Sequence, residues 1–583
     1  MKNKYFKIIC FLLCFVISIS SFVACSSSNT ETNNSSKNDS SNISSENENN
    51  PDDSEETIFE DTSDESCEDD FYDDYEDEYF EDAEDYQTLS VYNSQSPIIQ
   101  NYRGTSGTIY HAFGFMKNDI TGRVYTDEMM DIELSRLYDS GVRYCRTRFD
   151  SAWAWDAKNQ GWNWESERMG YFYDYCKALA KQETSVLLNL GWDLPFIING
   201  KSSTYEVSYL NGRDTNDLYG ETKGYDMSKL SDDYKIYARA ALRYGEWGAQ
   251  ALKAFKAHGV NNVSHILYFT EPSYGWDENP TGDYAEEYLF VCKIIKNKLL
   301  KSGCADKIKH MGPNQGQIKT GEGLLRYILE REPDLFDVYS VHEYFDEISD
   351  PTNDVFWDVS HPIFDGYMRV MKEEGAISKG KEFWVDETDV SSKNENGELT
   401  AETAWCGLQA AVTAVTAQQA GISNILNWQF ADQLWTDSTV TNDQFQNGIH
   451  ISGAAPSLFM STIPYGHYYT YNLFRKYNGY KNGKVYATSN GDHYGLYIGA
   501  VKLEDGSWTI TVVNTNFEDT PFLIEFDKAI NTTLYRHKQS ANDVKANAKA
   551  RLADVDKVYK NVKNKLYDVL PGGTIAIYTG LKR

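Results

Sequence analysis

From about residue 107 the chain alternates short apolar runs with longer amphipathic stretches. Eight runs read as buried strands: HAFGF (111–115), VRYCRTRF (142–149), SVLLNLG (185–191), HILYFT (265–270), IKHMGPN (308–314), FDVYSVHEYF (336–345), EFWVDET (382–388) and ISNILNWQF (422–430). Apolar runs of this length suit strands covered on both faces, as in a parallel sheet. Between them, stretches 126–141, 231–259 and 284–303 repeat apolar residues at helical spacing. The first and third close on Gly141 and Gly303, which are helix stop signals. Eight β/α units over about 360 residues predict an α/β fold, a (β/α)8 TIM barrel with enlarged loops. A doubly wound open sheet is the alternative, but it usually carries a glycine-rich phosphate turn after its first strand, and GFMKND is not one.

After about residue 470 the period changes. KVYATSN, HYGLYIGAVKLEDG, SWTITVVNTN and GGTIAIYTG are short, alternating and separated by turn residues. EDG before SWTITVV is a hairpin signal. These runs predict a C-terminal β-sandwich over 471–583, with residues 91–106 contributing a strand.

The first 94 residues follow neither pattern. MKNKYFK is basic, IICFLLCFVIS is apolar, and SFVAC ends the segment on small residues before Cys25. This is the layout of an export signal, and its apolar part is short for a membrane span. Its Val-Ala-Cys ending resembles the bacterial lipobox, which implies that Cys25 carries lipid and tethers the chain to a membrane. Residues 26–94 read as a disordered Ser/Asn- and Asp/Glu-rich linker, because so few apolar residues cannot support a core. Of the net charge of −32, residues 26–90 carry −23, with 24 acids against one lysine. The barrel, expected over 95–470, and the sandwich are therefore only mildly acidic. No basic patch appears, so nucleic acid is not an expected partner. Cys67, Cys145, Cys176, Cys292, Cys304 and Cys406 form no C-x-x-C pair, so neither a zinc site nor a redox motif is indicated.

In a (β/α)8 barrel the functional groups sit at the carboxyl ends of the strands. That rule selects Arg146, Arg148 and Asp150 after strand 2, Trp192 and Asp193 after strand 3, and Glu271 after strand 4. It goes on to Asn314 on strand 5, His342 and Tyr344 on strand 6, Glu387 on strand 7 and Trp428 on strand 8. Glu271 and Glu387 are lone carboxylates on strands that face one another across the mouth. A pair flanking a glycosidic bond is what glycoside hydrolysis needs, one protonated and one charged. Trp153, Trp155, Trp162, Trp164, Trp276 and Trp435 lie near the same face, and the sequence does not sort sugar platforms from packing.

Five of these stretches together resemble glycoside hydrolase clan A. YFTEPSYGW is similar to its strand-4 acid motif, FWVDETD to its strand-7 nucleophile motif and GVRYCRTRF to its strand-2 motif. SVHEY is similar to its strand-6 His-x-Tyr, and NWQF supplies its strand-8 tryptophan. The resemblance covers roughly 107–470 and, with the sandwich, is most like family 39 β-xylosidases, with families 5 and 30 as alternatives. It implies that Glu271 is the acid/base and Glu387 the nucleophile. Arg146 and Tyr344 would hold Glu387 charged and aimed, His342 would line the site and Trp428 would floor it. Apart from the resemblance, Trp192 and Trp276 are expected to contact substrate from their place near the active face. One departure stands out: Thr270 takes the place of the asparagine that bonds the sugar 2-hydroxyl. Asn314 or His342 would then supply a second contact there.

The expectation is a lipid-anchored, extracellular enzyme that cleaves β-linked glycans of plant cell-wall type with retention, using no cofactor and no metal. A catalytically silent glycan-binding protein on the same barrel is the alternative, and Thr270 is the residue that favours it. A metal-dependent hydrolase is disfavoured, because no His-x-His or carboxylate cluster stands at the strand ends.

Overall fold

The computed structural model describes residues 86–109, 126–140, 142–149, 154–156, 161–191, 232–272, 283–316, 322–345, 355–388, 405–428, 433–434, 445–446, 449–450, 466–478, 482–491, 495–540 and 554–581. Within them eight strands close a barrel. These are β1 Gly104–Ile109, β2 Tyr144–Arg148, β3 Ser185–Asn189, β4 Val263–Leu267, β5 Lys309–Gln315, β6 Val338–His342, β7 Glu382–Thr388 and β8 Asn424–Asn427. Each pairs in parallel with the next, and β8 closes on β1 with Asn424 opposite Gly104. A helix follows every strand: α1 Asp127–Ser140, α2 Glu167–Lys181, α3 Asp232–Ala257, α4 Asp283–Lys301, α5 Glu322–Arg331, α6 Val355–Glu373, α7 Trp405–Ala420 and α8 Gly466–Asn478.

Local chemistry sets several of these boundaries. Ser166 caps α2 by accepting from the Met169 N–H at 3.2 Å, which satisfies one of the free amides of the first turn. α7 (WCGLQAAVTAVTAQQA) is apolar on nearly all sides because α6, α8 and the sandwich cover it. Its small side chains permit that close approach.

The barrel interior is layered. At the floor Glu382 accepts from Arg103 Nη2 at 2.9 Å, Lys309 Nζ at 2.8 Å and Trp384 Nε1 at 3.1 Å. Above it Tyr144, Leu187, Leu267, Met311, Val338, Trp384 and Leu426 form an apolar plug. Burying a side chain of this kind contributes about 1.5–3 kcal/mol. The plug makes the barrel a packed core, so the polar groups must gather at the opposite end.

The sandwich pairs a seven-stranded sheet with a four-stranded one. Strands Leu496–Leu503 and Trp508–Asn514 form the hairpin expected at EDG, with Gly506 in the left-handed region at φ +89°. Two boundaries differ from expectation. Ile99–Tyr102 is the sandwich strand expected within 91–106, so the barrel starts later than residue 95. Gln87–Val91, which falls in the expected linker, is also a sandwich strand. Leu89 and Val91 are fully buried there, the alternation of a half-covered strand. The first barrel strand is Gly104–Ile109 rather than HAFGF, which lies outside the described residues. GTSGTI has no apolar run to mark it, because small residues serve where strands crowd.

Candidate active site

Period-two alternation carries the inward face upward from the apolar plug. Two residues beyond Tyr144 stands Arg146, beyond Leu187 Asn189, beyond Trp384 Asp386 and beyond Leu426 Trp428. Alternation alone would turn Glu387 outward. A register shift prevents this: Val341 of β6 faces Val385, yet the next residue, His342, faces Glu387. β8 shows the same skip between Val385 and Thr388. Asp386 is the extra residue of a β-bulge, so two successive carboxylates enter one interior. β5 skips likewise at Asn314, which has φ +56°.

Glu271 lies four residues past the end of β4. Its N–H donates to the Asn314 carbonyl at 3.0 Å, and the Thr270 N–H donates to the Gly191 carbonyl at 2.9 Å. These bonds hold Glu271 at φ +47°, a left-handed conformation that costs a non-glycine residue about 1–3 kcal/mol. Gly316 leaves room for it, since an added Cβ there would stand 3.3 Å from Glu271 Cγ.

The two glutamates have different surroundings. Arg146 Nη1 donates to Glu387 Oε2 in a short ion pair, and the Tyr344 hydroxyl donates to Oε1 at 2.5 Å. Arg146 Nη2 also reaches Thr270 Oγ1 at 3.5 Å and Asn314 Oδ1 at 3.4 Å. Burial alone would lower the pKa of Arg146, but the charges of Glu387 and Asp386 raise it above its ordinary value. Glu271 has no such bond to a guanidinium. Burial pushes its pKa up to about 7, and the more distant charge of Arg146 only partly opposes this. His342, fully buried, holds Nδ1 2.8 Å from Glu271 Oε1 and Nε2 3.4 Å from Glu387 Oε2. One oxygen of each glutamate and a ring nitrogen of His342 lie within 4.8 Å of one another. The three have the spacing of a cation site, but Arg146 already places a permanent positive charge on Glu387.

Of the residues selected from the sequence, Arg146, Thr270, Glu271, Asn314, His342, Tyr344, Glu387 and Trp428 converge on this point. Trp428 is buried, with its ring centroid 5.9 Å from the Arg146 guanidinium carbon. Thr270 Oγ1 accepts from Asn189 Nδ2 at 2.6 Å, and the amide of Asn314 is shared between Arg146 and Asp386. Of the groups expected at the sugar 2-hydroxyl, Thr270 Oγ1 and the Asn314 amide thus have partners within the protein. Trp192, Trp276 and Cys25 lie outside the described residues. Trp162 and Trp164 stack on each other at 5.7 Å and pack against the main core, which assigns them to packing. Sequence reasoning missed Asn189 and Asp386. Asn189 could have been found as a polar residue ending an apolar strand, whereas a bulge leaves no mark that would expose Asp386.

No family model matches the chain, and no curated protein matches it. The fold is similar to that of solved enzymes. A GH30 endoxylanase from Clostridium papyrosolvens C71 superposes with TM-score 0.54 at 15% identity, over 85% of this chain and all of that one. The family 30 subfamily 8 xylanase Xyn30A from Clostridium acetobutylicum gives 0.55 at 12%, over 85% and 99%. The endo-β1,6-glucanase BT3312 gives 0.53 at 13%, over 86% and 96%. Such shares require the barrel and the sandwich to match together.

Proposed function

We propose that the chain is a retaining glycoside hydrolase acting on β-linked glycans. The observation that carries this reading is the approach of Glu271 and Glu387, one oxygen of each within 4.8 Å, in unlike surroundings. Retaining enzymes hold their carboxyl groups about 5–5.5 Å apart, whereas inversion needs roughly 6.5–9.5 Å to admit a water. With a pKa of about 7, Glu271 keeps a proton to give to the glycosidic oxygen. Glu387, oriented by Arg146 and Tyr344, attacks the anomeric carbon as the bond to the leaving oxygen breaks, forming a glycosyl ester. Glu271, now a base, takes a proton from the water that hydrolyses the ester. The opposed roles follow from environment rather than residue type.

The similar enzymes act on xylan or β1,6-glucan by their names, and this supports a β-glycan substrate, including plant cell-wall polysaccharide. Of the three families that the sequence resembles, family 30 gains support because two of the superposed enzymes belong to it and match over both domains. Export and lipid anchoring through Cys25 remain our proposal from the first 25 residues alone.

Reducing-sugar release from a panel of β-glycans tests the reading. Wild type should cleave at least one, the first product should keep the β configuration by NMR, and Glu387→Ala should release nothing. Binding without cleavage across the panel would leave the silent binder in its place.

A further inference from the structure

The barrel mouth holds a third carboxyl group that the mechanism above leaves unused. Asp386 is fully buried. Its Oδ2 accepts from Asn314 Nδ2 and lies 3.9 Å from Arg146 Nε. Its Oδ1 has no hydrogen-bond partner, and neither has His342 Nε2. Nε2 stands 3.4 Å from Glu387 Oε2, an oxygen already taken by Arg146 Nη1. It stands 4.0 Å from Asp386 Oδ1, a gap that about 1 Å of side-chain motion closes to bonding distance. On the other side of the ring, His342 Nδ1 meets Glu271 Oε1 at 2.8 Å. Three carboxyl groups thus surround one buried imidazole, with Arg146 the one permanent cation beside them among the described residues.

We propose that Glu271 and Asp386 hold one proton between them through the ring of His342, which makes Asp386 the positioning residue that sets how readily the acid gives its proton. The inference rests on the hydrolase reading for its kinetic meaning. In one form the proton sits on Glu271 Oε1 and bonds to Nδ1, while the ring donates Nε2–H to Asp386 Oδ1. Moving the first proton to Nδ1 and the second to Oδ1 gives the other form. The ring stays neutral, and the negative charge passes from Asp386 to Glu271.

Other groups fit this exchange. Burial lowers the pKa of His342, against the attraction of Glu387 and Asp386, so the ring is neutral and has a single N–H to place. Burial, reinforced by the charge of Glu387, raises the pKa of Asp386, while His342, Arg146 and Ser340 oppose the rise. From α4, the Tyr288 hydroxyl donates to the Pro313 carbonyl at 3.2 Å and brings no charge.

The network also fixes what Asp386→Asn would do. Asn314 Oδ1 faces Arg146, so Asn314 Nδ2 must face position 386 and take the new amide's oxygen. The new amide's NH2 then points at Nε2, and the ring proton is forced to Nδ1, where it favours ionised Glu271.

Two measurements on the full chain test this. In 15N spectra of the imidazoles, with His342 assigned by comparison with His342→Gln, both ring nitrogens of wild type should give shifts between those of N–H and bare nitrogen. In D386N the proton should lie on Nδ1. In kinetics, D386N should lose at least tenfold more kcat/KM on an unactivated β-glycoside than on a nitrophenyl one, which needs little acid. Its alkaline limb should fall by about one pH unit. A cationic ring, a proton fixed on one nitrogen in wild type, or equal losses on both substrates with an unmoved limb would overturn the proposal. The spectra decide the matter even if no glycoside is cleaved, so this failure and that of the hydrolase reading remain distinct.

Discussion

Arg146, on the second barrel strand, and Glu387, on the seventh, are ion-paired inside the barrel, the guanidinium 1% and the carboxylate 7% exposed. A pair this dry is no guarantee of stability, but removing one partner leaves the other charged and unsolvated. Arg146→Met should therefore destabilise the fold by about 3–5 kcal/mol, read as a lower urea midpoint. Cleavage should fall at least a hundredfold, an effect of about 2.7 kcal/mol or more on the barrier.

The pH dependence follows from Glu271. Its folded pKa of about 7 exceeds the usual 4.5, so the folded state binds the proton more tightly than the unfolded one. That contribution is fully present below about pH 4.5 and is lost as pH rises through 7. Differential unfolding of wild type and Glu271→Gln across pH 4.5 to 7 should show a drift of up to about 3 kcal/mol, with wild type losing ground as pH rises. In kinetics the same group should place the alkaline limb of kcat/KM near pH 7. A limb that stays flat to pH 9 would remove Glu271 from the acid role.

Tyr344→Phe deletes one hydrogen bond to a charged group and leaves the ring. Such a bond contributes about 1.5–3 kcal/mol. If it forms equally in the free enzyme and the transition state, stability alone should drop. If it aims Glu387 during attack, kcat should fall roughly tenfold to a hundredfold. We expect the second outcome, measured on a nitrophenyl glycoside, with KM little changed.

Much of this site was legible because barrel strands report their own ends. β7 matches the sequence expectation residue for residue, and the acids of β4 and β7 stood out as polar groups closing apolar runs. What escaped did so for physical reasons. β1 is built from Gly, Ser and Thr, so it carries no hydrophobic signal. Asp386 was passed over beside Glu387, because nothing in the letters FWVDET encodes the bulge that brings both carboxylates into one interior. Asn189 closes an apolar strand and was open to the same rule, but its role shows in its bond to Thr270, a contact across 81 residues of sequence. The strand Gln87–Val91 was obscured by its nearness to an acidic stretch, although Leu89 and Val91 already showed the alternation. The strand Ile99–Tyr102 falls within the stretch 91–106 assigned to the sandwich.

The floor of the barrel makes an acid-side prediction. Burial would raise the pKa of Glu382, yet Arg103 and Lys309 hold it down at about 2. This stability is present above about pH 4.5 and is lost as pH falls from there toward 2. Glu382→Gln should cost about 3 kcal/mol at pH 7 and little at pH 2, measured by chemical unfolding at both. An equal loss at both values would assign the effect to packing instead.

The central claim is that Glu387 forms a covalent bond with the sugar while Glu271 manages the proton. Trapping with a 2-deoxy-2-fluoro β-glycoside bearing a good leaving group, followed by peptide mass spectrometry, tests it most directly. The account predicts one added glycosyl unit, on the peptide containing Glu387 and on that residue. Turnover of β-glycans with no adduct, or with the adduct on another side chain, would contradict it.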